Sequence, residues 1–200
     1  SGLQSLFPNI PILSEEGRDI NYLERKKWDT FWLVDPLDGT KEFVKRNGEF
    51  TVNIALIENR YPVFGSVYAP YTKQLFWASK GLGAWKIFDK NEKQKICVSK
   101  STSKKRIVIS RSHPNEKVSE FINQYQDHKL IRMGSSLKLC CIAEGKADIY
   151  PRLGPTSEWD IGAAQCIVEE AGGTVLEYNS NQRLSYNKEN ILNPFFIVRG

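Results

Sequence analysis

Residues 31–56 read FWLVDPLDGTKEFVKRNGEFTVNIAL and place two aspartates directly after an apolar run. The run Phe31–Val34 predicts a buried β-strand that Asp35 terminates, and Asp38 lies in the turn after it. Burying a carboxylate beside an apolar strand is costly, and a second carboxylate three residues later adds repulsion. The pattern therefore calls for a positive charge between the two aspartates.

The turn offers groups for both a cation and an anion. Pro36 stiffens it and leaves the Leu37 carbonyl oxygen exposed between the carboxylates. Gly39 lets backbone amides approach an anion, and TKEFVKR, residues 40–46, predicts a short helix whose N-terminus faces that anion. The Thr40 hydroxyl is suited to orient a water molecule. Such a combination is too particular for a turn that only reverses the chain.

Two further carboxylates stand at predicted element ends. Glu15 ends the apolar run IPILSEE, and Asp160 follows Trp159 at the start of a capped helix. Mg²⁺ takes oxygen ligands from such places and leaves its other positions to water and phosphate. Taken singly, Asp160 could be an N-cap residue and Asp38 part of a plain Asp-Gly turn. Together the acids predict phosphoryl transfer to water.

Composition bounds the class of protein. The 200 residues are 40% hydrophobic and 26% charged, which suits one large globular domain or two small ones sharing a core. No apolar run approaches the ~18 residues of a membrane span. The net charge of +5 suits a small anionic substrate, and without an aromatic-interleaved basic stripe we expect no nucleic-acid partner. The cysteines, Cys97, Cys140, Cys141 and Cys166, lack zinc spacing and are predicted to be reduced core residues of a cytoplasmic protein.

Strands and helices are interspersed without strict alternation, which predicts a layered α/β or α+β sandwich. Helices are predicted within residues 115–127, 135–145 and 157–173. Strands are predicted at 31–34, 50–57, 65–69, 74–78, 107–110, 147–150, 174–178 and 195–199.

Three motifs in order resemble those of the Mg²⁺-dependent, lithium-sensitive phosphatases of the inositol monophosphatase superfamily. They are SEE at 14–16, DPLDGT at 35–40 and WDIGAAQCIVEEAGG at 159–173. The resemblance implies the inositol monophosphatase / fructose-1,6-bisphosphatase-like fold of alternating α and β layers. It implies one phosphatase unit over 1–200, with a metal- and phosphate-binding half at 1–100 and a nucleotide-binding half at 101–200.

Within that superfamily the sequence is most similar to the CysQ-type 3′(2′),5′-bisphosphate nucleotidases. The similarity lies in Lys41 after DGT and in ISRSH (109–113), GSSLKLC (134–140) and ADIYPRLGPTSEWD (147–160). It implies hydrolysis of 3′-phosphoadenosine 5′-phosphate, a by-product of sulfate assimilation, to AMP and phosphate, with Li⁺ as an inhibitor. 3′-Phosphoadenylyl sulfate would be a second substrate. We expect a monomer in the cytoplasm, with peripheral attachment at the inner membrane left open.

The resemblance also implies roles for individual residues. One Mg²⁺ would be bound by Glu15, Asp35 and the Leu37 carbonyl, and a second by Asp35, Asp38 and Asp160, with a third ion left open. The catalytic candidates are Glu15 and Thr40, which would position the attacking water, and Asp38. The candidate substrate-binding residues are Leu37, Gly39, Thr40, Arg111, His113, Ser135, Lys138, Arg152 and Asp160. For each basic residue a surface salt bridge is the alternative, and His113 could be an ordinary loop residue.

Members of the superfamily carry a helical segment before the SEE motif, which supplies another acidic residue near the attacking water. Nothing in residues 1–14 matches it, so we expect this amino-terminal part to be missing and the 200 residues alone to be weakly active or inert. Two rival functions stay open. One is an inositol-phosphate or fructose-bisphosphate phosphatase, and the other is a non-catalytic nucleotide-binding module with Mg²⁺-independent, salt-sensitive binding.

Overall fold

A computed structural model describes residues 2–89, 92–100, 104–112 and 115–200, which form two β-sheets and six helices. In the first sheet, chain order and spatial order coincide. β1 and β2 are parallel, and each later pair of neighbours is antiparallel. The strands are β1 (Ile12–Ser14), β2 (Thr30–Asp38), β3 (Thr51–Glu58), β4 (Tyr61–Ala69), β5 (Gln74–Ser79), β6 (Ala84–Phe88) and β7 (Gln94–Ile96).

The second sheet mixes parallel and antiparallel neighbours in the order β11-β12-β10-β8-β9. Its strands are β8 (Lys105–Ser110), β9 (His128–Met133), β10 (Ile149–Arg152), β11 (Thr174–Glu177) and β12 (Phe196–Arg199). The helices are α1 (Gly2–Leu6), α2 (Tyr22–Arg25), α3 (Thr40–Val44), α4 (Glu116–Ile122), α5 (Leu137–Ala143) and α6 (Glu158–Glu170).

Helices α5 and α6 pack against each other and lie between the two sheets. α6 contacts β2 to β6 of the first sheet, whereas α5 contacts β8, β10 and β12 of the second. Phe121 and Ile122 of α4 pack with Ile107 and Ile149 in a separate apolar cluster on the opposite face of the second sheet. The layers therefore alternate between sheet and helix, and the predicted α/β layered fold is confirmed.

The packing of α6 on the first sheet is close. A Cβ atom on Gly65 of β4 would lie 2.1 Å from the carbonyl oxygen of Ala163, so only glycine allows the helix to approach this strand. Along β3 the buried residues alternate with partly exposed ones, and Ala55 and Ile57 belong to the main apolar core. This close contact brings the first turn of α6 to the end of β2, where the predicted acids lie.

The sequence predicted the buried central strands of the sheets, but it placed the ends of several strands less accurately. The prediction that Asp35 terminates the strand is wrong, because β2 runs to Asp38 and pairs with Thr51 of β3 beyond an irregularity in register. Pro36 lies within that irregularity, where its missing N–H cannot support the ladder. β10 begins two residues later than predicted. β1, β6, β7 and β9, and helices α1 and α2, were not predicted.

Two other expectations can be compared with the structure. Within the described residues, no helix is both long enough and apolar enough to cross a bilayer. Cys140, Cys141 and Cys166 are buried and free of disulfides. Cys97 is exposed because it follows β7 at the edge of the first sheet, so its prediction as a core residue is wrong.

Candidate active site

Three carboxylates from separate elements meet at one cleft. Glu15 directly follows β1, Asp35 lies in β2, and Asp160 lies in the first turn of α6. Each offers an oxygen atom within 4.8 Å of the others. The parallel register of β1 and β2 sets Ser14 opposite Val34, which explains why the acids following these two residues meet at the same end of the sheet.

This cluster carries more negative charge than its surroundings balance. Asp35 is 1% exposed, and its Oδ1 atom accepts a hydrogen bond from the Leu37 N–H at 2.9 Å. Its Oδ2 atom has no hydrogen-bond partner among the residues that the structure describes. Burial and then the charge of Asp38 raise the pKa of Asp35 to about 8, and the same two causes raise the pKa of Asp160 to about 7. Carboxylates held in this way fit a divalent cation, whose charge would take the place of the protons.

Asp38 is held differently from the three clustered acids. Its Oδ2 atom accepts hydrogen bonds from the Ser136 N–H at 2.6 Å, the Thr51 hydroxyl at 3.3 Å and the Asn53 amide at 3.4 Å. Its charge still acts on Asp35 and Asp160, because it raises the pKa of both. Asp38 therefore borders the cluster, with one oxygen already engaged by protein donors.

Asp160 is the third residue of α6, and Ser157 is its N-cap. The Ser157 N–H donates to Asp160 Oδ2 at 2.9 Å. The alternative that Asp160 is itself an N-cap residue is therefore wrong. The first turn of α6 instead fixes this carboxylate through the backbone of its own cap.

Gly39 and Thr40 form the start of α3 beside the acids. Gly39 has φ of 87°, the left-handed region, and a Cβ there would lie 3.0 Å from the Glu49 carbonyl oxygen. The Thr40 hydroxyl donates to the Leu37 carbonyl oxygen at 3.4 Å, so two predicted site residues are in contact. Because the first N–H groups of a helix lack intrahelical partners, this turn can present backbone donors to the cleft.

Three cationic side chains among the described residues line the same cleft, which has a volume of ≈ 250 Å³: Lys41, Lys138 and Arg152. Lys138 is buried, donates to the Ser135 carbonyl oxygen at 2.6 Å and lies 5.5 Å from the Tyr150 ring centroid. Burial lowers the pKa of Lys138 to about 8. Arg152 donates to the Pro155 carbonyl oxygen at 2.6 Å, and its buried Nε has no partner among the described residues.

Ser135, which precedes these contacts in the chain, has φ of 45°, a sparsely populated region for a residue other than glycine. Backbone strain of this kind persists where the surrounding structure enforces it, and it is frequent at binding sites. Ser135 is 9% exposed and lines the cleft together with Lys138. The structure thus places Ser135, Lys138 and Arg152 in the same cleft as the acids.

Arg111 directly follows Ser110 but is not among the residues that line this cleft. Its guanidinium donates to both carboxylate oxygens of Glu49, at 2.8 and 2.6 Å, and to the Arg132 carbonyl oxygen at 2.9 Å. The hydrogen bonds to Glu49 raise the pKa of Arg111. Burial raises the pKa of Glu49, but the hydrogen bonds from Arg111 and Gly134 outweigh it, so the pKa of Glu49 is lowered. His113 lies outside the described residues.

Sequence reasoning missed the residues that support the acids. Asn53 and Thr51 lie on the buried face of β3, and Ser136 precedes α5. A polar residue at an inward position of an apolar strand, as at Asn53, was the available signal. Ser136 lies inside GSSLKLC, but only its neighbours Ser135 and Lys138 were singled out.

Comparisons with known proteins agree with this geometry. The sequence model described as the inositol monophosphatase family matches residues 1–194. The "3′(2′),5′-bisphosphate nucleotidase CysQ" of Salmonella typhimurium is 47% identical over 198 residues, which cover 98% of this chain and 78% of the relative. The enzyme of the same name from Buchnera aphidicola is 47% identical over 192 residues, covering 92% and 71%.

Solved structures give the same result. The crystal structure of CysQ from Bacteroides thetaiotaomicron, a bacterial member of the inositol monophosphatase family, is 42% identical with a TM-score of 0.91, covering 99% of this chain and 80% of that one. The inositol monophosphatase of Anabaena is 30% identical with a TM-score of 0.77, covering 98% and 76%. The chain therefore belongs to the inositol monophosphatase family.

Proposed function

We propose that the protein is a Mg²⁺-dependent, Li⁺-inhibited phosphomonoesterase that converts 3′-phosphoadenosine 5′-phosphate to AMP and phosphate. The observation that carries this proposal is the meeting, in one cleft, of three carboxylates within 4.8 Å of one another and the cations Lys138 and Arg152. Acids suit a metal, and the cations beside them suit phosphate groups. The relatives named as bisphosphate nucleotidases support this choice of substrate.

The acids would hold the metal in the way that the family resemblance implies. We assign Glu15, Asp35 and the Leu37 carbonyl to one Mg²⁺, and Asp35, Asp38 and Asp160 to a second. Asp35 Oδ2 is buried and has no hydrogen-bond partner within the described part of the chain, and this and the raised pKa values of Asp35 and Asp160 support a cationic partner. When bound, Mg²⁺ supplies Lewis-acid stabilisation of phosphate oxygens and eases deprotonation of water.

The chain's own groups would orient the reactants. Glu15 is exposed, so its carboxylate can accept a hydrogen bond from water in the cleft. The Thr40 hydroxyl donates to the Leu37 carbonyl and therefore keeps its oxygen lone pairs available to a second donor such as water. The backbone N–H groups of Gly39 and Thr40 would bind the reacting phosphate, holding it in line with that water.

The rest of the nucleotide would extend away from the acids. Lys138 and Arg152 are assigned to the 5′-phosphate, with Ser135 beside them. A second cleft of ≈ 460 Å³ shares Ser110, Tyr150 and Arg152 with the first and is large enough for the adenosine. Its other lining includes the apolar side chains of Ile109, Val118, Ile122, Leu130, Pro151 and Leu153.

Two assignments follow from this arrangement. Because Glu49 accepts two hydrogen bonds from the Arg111 guanidinium, we assign Arg111 to holding the Glu49 loop instead of contacting the nucleotide. Residues 1–100 would supply Glu15, Asp35 and Asp38, and residues 101–200 would supply the nucleotide contacts and also Asp160. The metal site would thus draw on both halves of the chain.

The test is phosphate release from 3′-phosphoadenosine 5′-phosphate by the full chain. We expect release that requires Mg²⁺, stops with a chelator and is inhibited by Li⁺. Asp38→Asn is expected to abolish release, whereas Asp89→Asn, which changes an exposed aspartate paired with Lys73, is expected to leave it unchanged. Because the 200 residues alone are expected to be weakly active or inert, the joint absence of Mg²⁺-dependent release and of Mg²⁺-dependent nucleotide binding by the wild-type chain would refute the proposal.

The same assay separates the rival functions. A higher kcat/KM for inositol 1-phosphate or fructose 1,6-bisphosphate than for the adenosine bisphosphate would mean that the protein is a phosphatase of the same chemistry with a different substrate. Nucleotide binding without release, independent of Mg²⁺ and weakened steeply by salt, would instead favour the non-catalytic module.

A further inference from the structure

Asn53 is a buried amide on the same inward face of β3 as the apolar core residues Ala55 and Ile57. It lies opposite Asp35 in the β2–β3 ladder and is 1% exposed. Its Nδ2 atom donates to Ser136 Oγ at 3.0 Å and to Asp38 Oδ2 at 3.4 Å. Its Oδ1 atom is buried with no partner among the residues that the structure describes. Burying an amide whose oxygen lacks a hydrogen-bond partner is unfavourable. Its burial therefore indicates that the donor contacts of Asn53 serve a purpose at the site.

Ser136, which directly precedes α5, contacts both Asp38 and the backbone of Asp160. It is 2% exposed, and its N–H donates to Asp38 Oδ2 at 2.6 Å. Its hydroxyl accepts from Asn53 and donates to the backbone carbonyl oxygen of Asp160 at 2.6 Å. One serine therefore joins Asp38 of β2 to the first turn of α6, and Asn53 joins it to β3.

We propose that Asn53 and Ser136 are positioning residues that fix Asp38 and Asp160 relative to each other. Their donors occupy Asp38 Oδ2, which leaves Oδ1 as the oxygen available to a cation. The Ser136 hydroxyl meanwhile anchors the backbone of Asp160. The pair thus sets the spacing of acids that come from two sides of the sheet–helix interface. This inference rests on the proposed function insofar as these acids bind Mg²⁺.

The arrangement has a measurable consequence for metal binding. A carboxylate ligand held by other hydrogen bonds keeps its orientation, and removal of such partners typically lowers metal affinity or activity ~10–100-fold. Asn53→Leu retains a similar volume but removes both donations. We expect ~10-fold weaker Mg²⁺ binding by titration calorimetry on the full chain. We also expect ~10-fold lower kcat, with KM for the nucleotide unchanged within ~2-fold, because neither residue is assigned to the substrate.

Asn187→Ala is the matched control. Asn187 is also buried, at 6% exposed, and its Nδ2 atom donates to the Arg25 carbonyl oxygen at 2.7 Å. Its loss should lower the thermal unfolding midpoint while the Mg²⁺ affinity of the folded chain stays within ~2-fold of wild type. Unchanged Mg²⁺ affinity in both variants would show that Asn53 has only a structural role and would overturn the inference.

If Asn53→Leu does not fold, Ser136→Ala still tests whether the Asn53–Ser136 pair affects Mg²⁺ binding. It removes only a hydroxyl and leaves the N–H bond to Asp38, so we expect a smaller, ~3-fold loss of Mg²⁺ affinity. In the Asn53→Leu/Ser136→Ala double variant, the two losses should combine to less than their product, since both variants break the same Asn53–Ser136 contact. Wild-type affinity in Ser136→Ala would contradict the inference. Absence of Mg²⁺ binding by the wild-type chain would refute the proposed function as well.

Discussion

Arg111 and Glu49 form a two-point ion pair that ties the second sheet to the loop after α3. Arg111 Nε donates to Glu49 Oε2 at 2.8 Å, and Arg111 Nη2 donates to Oε1 at 2.6 Å. Glu49 Oε2 also accepts the Gly134 N–H at 2.8 Å. Gly134 directly precedes Ser135 and Ser136, so this carboxylate fixes the start of the segment that carries the cleft's donors.

Glu49→Gln should therefore weaken substrate binding more than chemistry. The amide keeps the side chain's shape but loses the charge and one of the two acceptors that Arg111 and Gly134 share. We expect a ~10-fold fall in kcat/KM, mainly through KM, and a loss of about 1 kcal/mol in the free energy of unfolding, since Arg111 is partly exposed. Steady-state kinetics and urea unfolding measure the two effects.

The control for this substitution is Glu24→Gln. Glu24 pairs with Arg18 at 3.1 Å, but both side chains are more than half exposed. Such pairs contribute little, so neither kinetics nor unfolding should change by more than ~2-fold or a few tenths of a kcal/mol. Equal effects of the two substitutions would mean that the Arg111–Glu49 pair has no special role.

Local patterns explain what could be predicted from the sequence. The acids of DPLDGT and the capped helix containing Asp160 each stand out within about fifteen residues of sequence. The turn predicted at Asp38 is nevertheless wrong, because Asp38 is the last residue of β2. β9 was missed because its residues are mostly exposed or partly exposed, so it has no apolar run. β1 is three residues long and too short for any periodic signal.

The support of the acids depends on contacts that no local pattern contains. Ser136 lies 98 residues from Asp38, and Arg111 lies 62 residues from Glu49. Each contact joins distant elements of the fold, because Ser136 precedes α5 and Asp38 ends β2, whereas Arg111 follows β8 and Glu49 precedes β3. In the sequence, Arg111 and Lys138 were therefore equally suitable as nucleotide contacts. Only the folded chain distinguishes them, because Arg111 pairs with Glu49 whereas Lys138 lines the cleft.

Asp35→Asn should stabilise the metal-free chain while abolishing phosphate release. Burial and then Asp38 raise the pKa of Asp35 from 3.8 to about 8, so between these values the folded state binds more protons than the unfolded state. Stability should accordingly fall as pH rises from about 4 to 8. The amide side chain of the variant cannot titrate, so the variant should show a flatter profile and a gain of about 1–3 kcal/mol at pH 8.

Thermal unfolding in a chelator, followed across pH, measures this difference. Added Mg²⁺ should raise the midpoint of the wild-type chain and not that of Asp35→Asn, because only the wild type binds the ion tightly. A metal-free variant less stable than wild type at pH 8 would contradict the assignment of Asp35 as a buried, uncompensated acid.

Lys138→Met tests the assignment of a buried cation to the 5′-phosphate. We expect KM for 3′-phosphoadenosine 5′-phosphate to rise ~10–100-fold, because a charge-assisted contact is lost. Release from adenosine 3′-monophosphate, which has no 5′-phosphate, should change less than ~2-fold. Lys129→Met, at an exposed position of β9, should alter neither substrate. A similar loss on both substrates would contradict the 5′-phosphate assignment.

The same variant has a pH signature in stability. Burial lowers the pKa of Lys138 from 10.5 to about 8, so the unfolded state binds more protons between these values. The wild-type chain should therefore gain stability as pH rises from about 8 to 10.5, and Lys138→Met should lack this gain. Urea unfolding at pH 7.5 and 10 measures it, and identical slopes in the two proteins would show that Lys138 is not desolvated.

Gly65→Ala should be among the most damaging small substitutions outside the cleft. Its Cβ atom would lie 2.1 Å from the Ala163 carbonyl oxygen and 3.0 Å from the Cys166 Cβ, so β4 and α6 must separate. Overpacking of this kind costs about 1–3 kcal/mol or more, and because α6 carries Asp160, Mg²⁺ affinity should fall as well. Gly2→Ala, where a Cβ would meet no atom of the described residues within 4 Å, is the control. Urea unfolding and Mg²⁺ titration of both variants test the argument, and a Gly65→Ala chain as stable as Gly2→Ala would show that the strand and the helix can move apart freely.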